Sequence, residues 1–302
     1  DAPMDDRPPS SGPDSPKSAP DGGTGRPKRH PFVAEVLSTE RLTPHMIRVV
    51  LGGEGLESFR AGEFTDHYVK LQLPPPGASY SPPFEPERVR ENHPAEDWFR
   101  TRTYTVRHWD ESLRELTIDF VYHGDTGIAG PWAAAARPGD KVQMVGPGGA
   151  YSPDPDAGWH LMVGDEACIP AISASLARVP ADVPVFALIE VENAGEQLRL
   201  ESGGDLRIEW VHRGGRPRTQ GDLLLEAVRS LELPAGLRGQ AFVHGEAGMV
   251  RDVRKHLIVD RGMDKADVSA TGYWKFTETE EGWRMYKGEW KRLAELDVDA
   301  AT

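Results

Sequence analysis

Two patterns of hydrophobic and polar positions divide the chain, and the change between them comes near residue 152. From Phe32 to about Gly149, short stretches rich in β-branched and aromatic residues are separated by Gly, Pro and Asp, which is typical of strands joined by turns. Six such strands predict a small closed antiparallel barrel. The predicted strands span residues 32–39, 46–51, 68–73, 101–108, 116–122 and 141–145.

The second half of the chain alternates apolar runs with amphipathic ones. Val183–Val191 is almost entirely apolar, as expected of a strand buried on both faces. Ile169, Ile172, Leu176 and Val179 fall at helical spacing. This alternation predicts a parallel sheet with helices on both sides. Its predicted strands span residues 160–163, 183–191, 206–212 and 240–244, and its predicted helices span residues 167–179, 221–231 and 247–257.

The two ends of the chain have distinct patterns. Residues 1–30 are rich in Pro, Gly, Ser and Asp and poor in large apolar side chains, which predicts a disordered tail. Near the other end, Thr277 and Glu280 have capping-box spacing, and Trp283 and Trp290 lie on the apolar face of the amphipathic helix that follows. The predicted organisation is therefore a tail over residues 1–30, a barrel domain over 31–151, an α/β domain over 158–275 and a helical extension over 276–302.

Composition and charge narrow the class of protein. A length of 302 residues suits two domains, and a net charge of −13 argues against a nucleic-acid partner, which would need a basic face. The sequence contains no apolar run long enough to predict membrane insertion, and no secretory signal is recognisable. Cys168 is the only cysteine and no His/Cys spacing suggests a metal site, so we expect a cytoplasmic protein without a structural metal.

The segment Arg102–Arg107 carries the clearest chemical signal. Its two arginines flank a Tyr–Thr pair, and strand alternation places Arg102 and Tyr104 on the same face. An aromatic ring, a guanidinium and a hydroxyl suit a flat ring system that carries a diphosphate. Further along, a glycine-rich stretch enters a short helix at Gly130, and a helix start of this kind leaves N–H groups for phosphate. The alternative is an exposed strand followed by an ordinary loop.

A second candidate site follows the first strand of the α/β half. Dinucleotide-binding loops usually offer several glycines at this turn, but here Gly164 is followed by Asp165 and Glu166. Two carboxylates would repel a pyrophosphate, so they could instead orient a nicotinamide amide or ribose, or cap the helix. His244 and Glu246 follow a later strand and would line the same cleft.

These motifs together resemble the siderophore-interacting protein family, the FAD-dependent ferric-siderophore reductases of the ferredoxin–NADP reductase superfamily. The resemblance spans roughly residues 32–275. It implies that electrons pass from NAD(P)H or reduced ferredoxin through FAD to a ferric siderophore. Ferrous iron binds hard oxygen donors less tightly than ferric iron, so reduction releases it. The stretches that carry the resemblance are residues 102–107, 119–124, 132–133, 137–140, 163–166, 170–172, 244–247 and 272–274.

The resemblance also implies roles for individual residues. Tyr104 is expected against the isoalloxazine and Arg102 at the diphosphate, whereas Arg107 could close a surface ion pair and His123 could be structural. The expected FAD-binding residues are Arg102, Tyr104, Thr105, Arg107, Asp119, Val121, His123, Gly124, Gly130, Trp132, Ala133, Asp66 and His67. The expected electron-donor cleft comprises Gly164, Asp165, Glu166, His244, Gly245 and Glu246.

The chelate is expected to meet positive charge at the flavin edge. Lys275 beside Tyr273 is the main candidate, and Arg251 and Arg254 either add to it or form an ordinary solvated helix face. We expect no catalytic side chain beyond the flavin-mediated transfer. Where the family has a basic, glycine-containing turn, residues 275–278 read Lys-Phe-Thr-Glu, which leaves donor and substrate preference open.

Two alternative functions and two positions of the C-terminal helix stay open from the sequence. The protein could be a general NAD(P)H-dependent flavin or ferredoxin reductase, or a flavin-loaded protein that binds siderophore without turnover. The C-terminal helix could dock on the protein's own surface or border the flavin pocket or the electron-donor site.

Overall fold

The computed structural model describes residues 30–216, 222–276 and 278–299. These residues form one antiparallel and one parallel β-sheet, together with a long helix near the C-terminus. This confirms the predicted fold class. The tail predicted for residues 1–30 lies outside the described residues except for His30, and so does Thr277 of the predicted capping box.

The antiparallel sheet contains seven strands rather than the six predicted. They are β1 (Phe32–Thr43), β2 (Met46–Gly52), β3 (Tyr68–Leu73), β4 (Arg100–Thr105), β5 (His108–Asp110), β6 (Glu115–Val121) and β7 (Lys141–Gly148). They lie in the order β4-β3-β7-β1-β2-β6-β5, and every neighbouring pair is antiparallel.

The extra strand arises because the predicted strand 101–108 is divided. The N–H of Val106 still donates to His67 beside β3, but the N–H of Arg107 donates to Thr117 of β6. The chain therefore passes from pairing beside β3 to pairing with β6 between these two adjacent residues. The predicted closure is wrong: the sheet is barrel-like but open, because its edge strands β4 and β5 do not pair with each other.

The connections of this sheet contain two short helices. The insertion at residues 74–98 contains α1 (Pro86–Asn92). The glycine-rich stretch leads into α2 (Ala129–Ala135), as the sequence predicts. Fully buried Val49, Leu71 and Phe120 belong to the core inside the barrel.

The parallel sheet has five strands in the order β10-β9-β8-β11-β12, which places β8 at its centre. Every neighbouring pair is parallel. One strand, β12, was not predicted. The strands are β8 (Trp159–Asp165), β9 (Pro184–Val191), β10 (Asp205–His212), β11 (Gly239–Glu246) and β12 (Val268–Trp274).

Three helices accompany these strands: α3 (Ile169–Leu176), α4 (Asp222–Ser230) and α5 (Ala247–Lys255). The helix α3 is shorter than predicted because Glu166–Cys168 forms a separate 3₁₀ turn and Pro170 stands in the first turn of α3. Proline suits that position because its missing N–H would have no partner within the helix.

The last helix, α6 (Glu280–Asp299), packs on the parallel sheet through an apolar stripe. Trp283 is only 1 % exposed, and a Cβ atom added to Gly272 of β12 would lie 2.8 Å from its ring. The indole N–H of Trp290 donates to the carbonyl of Ala247 at 2.8 Å. The helix is therefore part of the α/β core. No helix among the described residues is long and apolar enough to cross a lipid bilayer.

Polar contacts join the two sheets beside β3. One oxygen of Asp66 accepts the N–H groups of Ala150 at 3.0 Å and Tyr151 at 2.8 Å, in the segment that links the sheets. His45, in the turn between β1 and β2, lies 2.6 Å from Glu196, which follows β9. These contacts place the face of β3 and β4 beside the carboxyl ends of the parallel strands.

We expect Trp283→Ala to lower the free energy of unfolding by roughly 3–5 kcal/mol, because it leaves a cavity where an aromatic side chain fills the core. Circular dichroism during urea denaturation would measure the change without relying on tryptophan emission. Met285→Ala, on the same helix but 88 % exposed, is the control and should stay within about 0.5 kcal/mol of the parent. Equal effects of the two substitutions would contradict the packing described here.

Candidate functional site

The predicted aromatic platform, Tyr104, lies on β4 with its ring packed against Phe120. The ring centroids are 4.5 Å apart. The Tyr104 hydroxyl is buried without a hydrogen-bond partner among the described residues, and burial raises its pKa well above the usual range. Thr103 next to it also has a buried hydroxyl without a partner, and Thr105 is half-buried.

Arg102 of the same strand contacts the C-terminal helix. Its Nη1 lies 2.6 Å from a carboxylate oxygen of Glu280, and the side chains of this pair are only 11 % and 2 % exposed. Arg284, one turn further along α6, donates to the carbonyl of Thr101 and to Glu280. The first turn of α6 therefore borders the strand predicted to bind flavin.

Arg107 forms an ion pair, which is the alternative to cofactor binding that the sequence left open. Its Nε lies 4.0 Å from Asp119, an ion-pair distance too long for a hydrogen bond, and Asp119 accepts two hydrogen bonds from Arg48 at 2.8 and 2.9 Å. The hydrogen bond to Asp119 raises the pKa of Arg48. Val121 lies in an apolar core. The carboxylate of Asp119 on β6 thus interacts with both Arg48 and Arg107. A ligand that binds Arg107 would therefore have to compete with Asp119.

The entry to α2 contains the other predicted cofactor residues. Gly124 has a φ of +71°, in the left-handed region that favours glycine. A Cβ atom added to Gly130 would lie 3.1 Å from the carbonyl of Val121, so the glycine permits close packing of α2 on β6. Trp132 is half-buried beside Phe120. Ala133 is buried in the barrel core, and the ring of His123 lies 5.6 Å from that of His45.

Asp66 and His67 each contain a buried polar atom without a partner among the described residues. These atoms are the second carboxylate oxygen of Asp66 and Nδ1 of His67. Burial raises the pKa of Asp66. Burial, followed by the charge of Arg178, lowers the pKa of His67 to about 4.

Buried polar atoms without partners among the described residues thus occur in two places: just before β3, at Asp66 and His67, and on β4, at Thr103 and Tyr104. Leaving such an atom buried and unpaired costs about 1–3 kcal/mol, so each of these atoms is a candidate contact for a polar ligand. With an aromatic ring and a guanidinium on the same strand face, this donor set fits a flavin dinucleotide. Arg102, Tyr104 and Thr105 would hold it, with Asp66 and His67 beside them.

The carboxyl ends of the parallel strands form the second predicted site. Asp165 caps the turn after β8 by accepting the N–H of Ala167, and its other oxygen accepts the indole N–H of Trp274 at 2.8 Å. Glu166 binds Arg213 through two hydrogen bonds of 3.0 Å. Of the roles left open for the acidic pair, capping is therefore the one that Asp165 performs in this structure.

Arg213 is a site residue that the sequence reasoning missed. It is buried and also contacts Glu190 at 3.2 Å and Glu192 at 3.3 Å, so three carboxylates share its charge. Burial raises the pKa of Glu190 despite this contact. The signal was its position immediately after the predicted strand 206–212, at the sheet edge where ligand-binding residues gather.

His244 does not line an open cleft, contrary to expectation. Its ring is fully buried, stacks on Phe242 at 3.6 Å and contacts Tyr273 at 3.0 Å and Ser269 at 2.9 Å through its two nitrogens. Burial, together with the charge of Lys287, holds the pKa of His244 well below the usual range. The imidazole is therefore a neutral core group, and it engages the Tyr273 hydroxyl that was expected to face substrate.

The remaining cleft positions are explained by packing and capping. A Cβ atom added to Gly164 would lie 2.5 Å from the Cβ atom of Cys168, and Gly245 has a φ of +128°. Glu246 accepts the N–H of Met249 at 2.8 Å and so caps α5. Burial raises the pKa of Glu246, and the nearby charge of Lys275 opposes that shift.

Two of the predicted substrate-binding residues contact the helix α6 instead. Arg251 makes two hydrogen bonds to Asp297, and Arg254 donates to the carbonyl of Ala294 and to Glu295. Both expectations are corrected: these side chains attach α6 to α5. Lys275 is half-buried with its Nζ 5.3 Å from the ring centroid of Tyr286, and its substrate role stays a prediction.

Two family models match the chain. One, described as a siderophore-interacting FAD-binding domain, matches residues 35–151, and the other, described as siderophore-interacting protein, matches residues 157–277. The ferric vibriobactin reductase of Vibrio cholerae is 31 % identical over 262 residues, which cover 84 % of this chain and 93 % of that protein. The NADPH-dependent ferric-chelate reductase of Escherichia coli is 31 % identical over 245 residues, which cover 79 % of this chain and 91 % of that protein.

Solved structures show the same fold. A siderophore utilization protein from T. fusca has a TM-score of 0.70 at 35 % identity, covering 83 % of this chain and 94 % of its own. The ferredoxin–NADP⁺ reductase of Plasmodium falciparum has a TM-score of 0.58 at 13 % identity, covering 80 % of this chain and 96 % of its own. The second likeness shows the ferredoxin reductase-like fold alone.

The lowered pKa of His67 predicts a loss of stability on acidification. An unfolded histidine titrates near 6.5, so between about pH 6.5 and 4 the unfolded chain binds a proton that the folded chain does not. The stability due to neutral His67 is complete above that window and is lost as the pH falls through it. We expect His67→Gln to flatten the pH dependence of the unfolding free energy by up to about 1.4 kcal/mol per pH unit. Urea denaturation from pH 4.5 to 7 measures this, and a His67 midpoint near 6.5 in an NMR titration would contradict it.

Proposed function

Because the chain belongs to the siderophore-interacting protein family, we propose that it is an FAD-dependent ferric-siderophore reductase that releases ferrous iron in the cytoplasm. The observation that carries the proposal is one face of β4, where the Arg102 guanidinium lies on the same side of the strand as the ring of Tyr104, whose buried hydroxyl has no partner among the described residues. The names of the V. cholerae and E. coli relatives support reduction of ferric chelates as the reaction.

The proposed residues lie at two sites, one for the cofactor and one for the chelate. FAD supplies the conversion of a two-electron donation into single-electron transfers, and the protein supplies its binding and surroundings. Arg102 would bind the diphosphate and Tyr104 would lie against the ring system. Lys275 would attract an anionic chelate, and the carboxylate of Asp165 fixes the indole of Trp274 beside it. The proposed domains are residues 31–151 for the cofactor and residues 158–275 for the donor, with residues 276–302 as an extension.

The acidic cluster at the carboxyl ends of β8 and β9 favours NADH over NADPH as the electron donor. In dinucleotide-binding folds, an acidic residue near the end of the second strand accepts from the ribose 2′-hydroxyl and repels a 2′-phosphate. Glu190 and Glu192 occupy this position, and Arg213 is already shared among three carboxylates. Glu192 is the most exposed of the three at 32 %. In this respect the chain would differ from the relative described as NADPH-dependent.

Anaerobic mixing tests the proposed reaction. We expect FAD-loaded, photoreduced protein to regain its oxidised spectrum on mixing with a ferric catecholate or hydroxamate siderophore, while a ferrous chelator traps the released iron. Equal rates with free flavin or ferredoxin would favour a general reductase. Tight siderophore binding with a persistent reduced spectrum would show a binding protein instead.

Glu192→Lys tests the donor preference. The added positive charge near the 2′ position should raise kcat/KM for NADPH about tenfold, which corresponds to 1.4 kcal/mol of transition-state stabilisation, and should change the value for NADH little. Glu226→Lys makes the same charge change on the exposed surface of α4 and should leave the ratio of the two donors unchanged. A parent enzyme that already prefers NADPH would refute the assignment.

A further inference from the structure

The predicted diphosphate ligand, Arg102, is held by a carboxylate of the protein itself. The Arg102–Glu280 pair is short and almost completely buried, with an N–O distance of 2.6 Å. Glu280 stands at the first position of α6, and the closely packed Trp283 fixes this turn over β4. Packing therefore fixes the backbone of this turn, and the ion pair is a buried contact rather than a surface one.

Glu280 and Arg102 act on the same pocket. Arg102 stands two residues before Tyr104 on β4, and its ion pair brings the carboxylate of Glu280 beside that strand. Arg102 and Tyr104 share a strand face, which is the face predicted to meet the cofactor. The carboxylate of Glu280 thus reaches into the place assigned to the flavin diphosphate.

A carboxylate and a diphosphate cannot both use Arg102 fully. A guanidinium binds phosphate most strongly through two parallel N–H donors, and Nη1 of Arg102 is already directed to Glu280 and to the carbonyl of Thr101. A diphosphate beside the intact pair would also meet the negative charge of Glu280 at low local dielectric, where repulsion is strong. One of the two anions has to leave the guanidinium.

Glu280 has a second guanidinium within reach. Its other oxygen accepts a hydrogen bond from Arg284 at 3.1 Å, and Arg284 is 42 % exposed and so remains solvated. Glu280 can therefore leave Arg102 and keep a charged partner without displacement of the helix. The exchange needs only side-chain movement in the first turn of α6.

We propose that Glu280 is an intramolecular competitor for FAD: it occupies Arg102 in the cofactor-free protein and passes to Arg284 when the diphosphate binds. This rests on the proposed function, since it assumes that FAD binds at Arg102. The exchange weakens cofactor affinity, because a buried ion pair is broken during binding. The C-terminal helix thereby sets how readily the protein loads and releases FAD.

Titration of the full-length, cofactor-free protein with FAD tests the competition through quenching of flavin fluorescence, independently of enzymatic activity. Glu280→Gln keeps the shape of the side chain and removes its charge, so the Kd for FAD should fall about tenfold. Glu281→Gln makes the same charge change at the exposed neighbouring position and should alter the Kd less than about twofold. An unchanged or higher Kd for Glu280→Gln would overturn the proposal while leaving the proposed function intact. Failure of all three proteins to bind FAD would overturn both.

A double-mutant cycle tests the route of exchange. Arg284→Ala removes the second partner of Glu280, so it should raise the Kd for FAD several-fold in the parent and have no effect in the Glu280→Gln background. Circular dichroism confirms that each variant is folded. Equal effects of Arg284→Ala in the two backgrounds would refute the exchange.

Discussion

The carboxylate of Asp66 fixes where the two sheets meet, and the functional assignments depend on that meeting. It accepts the backbone N–H groups of Ala150 and Tyr151, which belong to the segment leading from the antiparallel sheet to the parallel one. A charged acceptor for two backbone donors is stronger than a neutral one, and it is buried here. Together with the contact between His45 and Glu196, it sets the position of β4 relative to the acidic ends of β8 and β9.

Much of the fold could be predicted from the sequence because each half has a single dominant periodicity. Alternating strands with Gly, Pro and Asp between them indicated the antiparallel sheet, and strand–helix alternation indicated the parallel one. The division of the strand 101–108 could not be predicted, because it depends on backbone hydrogen bonds from Val106 to His67 and from Arg107 to Thr117, which the local pattern does not show. β12 was missed because its small and polar positions, such as Gly272, become favourable only when Trp283 covers them.

Part of the candidate site could likewise be predicted from the sequence, and part could not. The residues of the segment 102–107 could be selected from their chemistry alone, since an aromatic ring between two guanidinium groups is uncommon on a strand. The partners of those residues could not be selected: neither Glu280 beside Arg102 nor Arg213 among its carboxylates follows from local pattern. His244 shows the opposite error. Its position after a strand suggested a cleft residue, but the side chain points into the core, where its two nitrogens are satisfied by Tyr273 and Ser269.

The close approach of Trp283 to Gly272 has a consequence for how this protein can change over evolutionary time. A larger residue at position 272 would push the indole away, and a smaller residue at position 283 would leave a void, so neither position can vary alone without loss of packing. Because Trp283 also sets the place of the first turn of α6, the same pair constrains Glu280. Divergent descendants that alter this contact should therefore lose the helix and the carboxylate together.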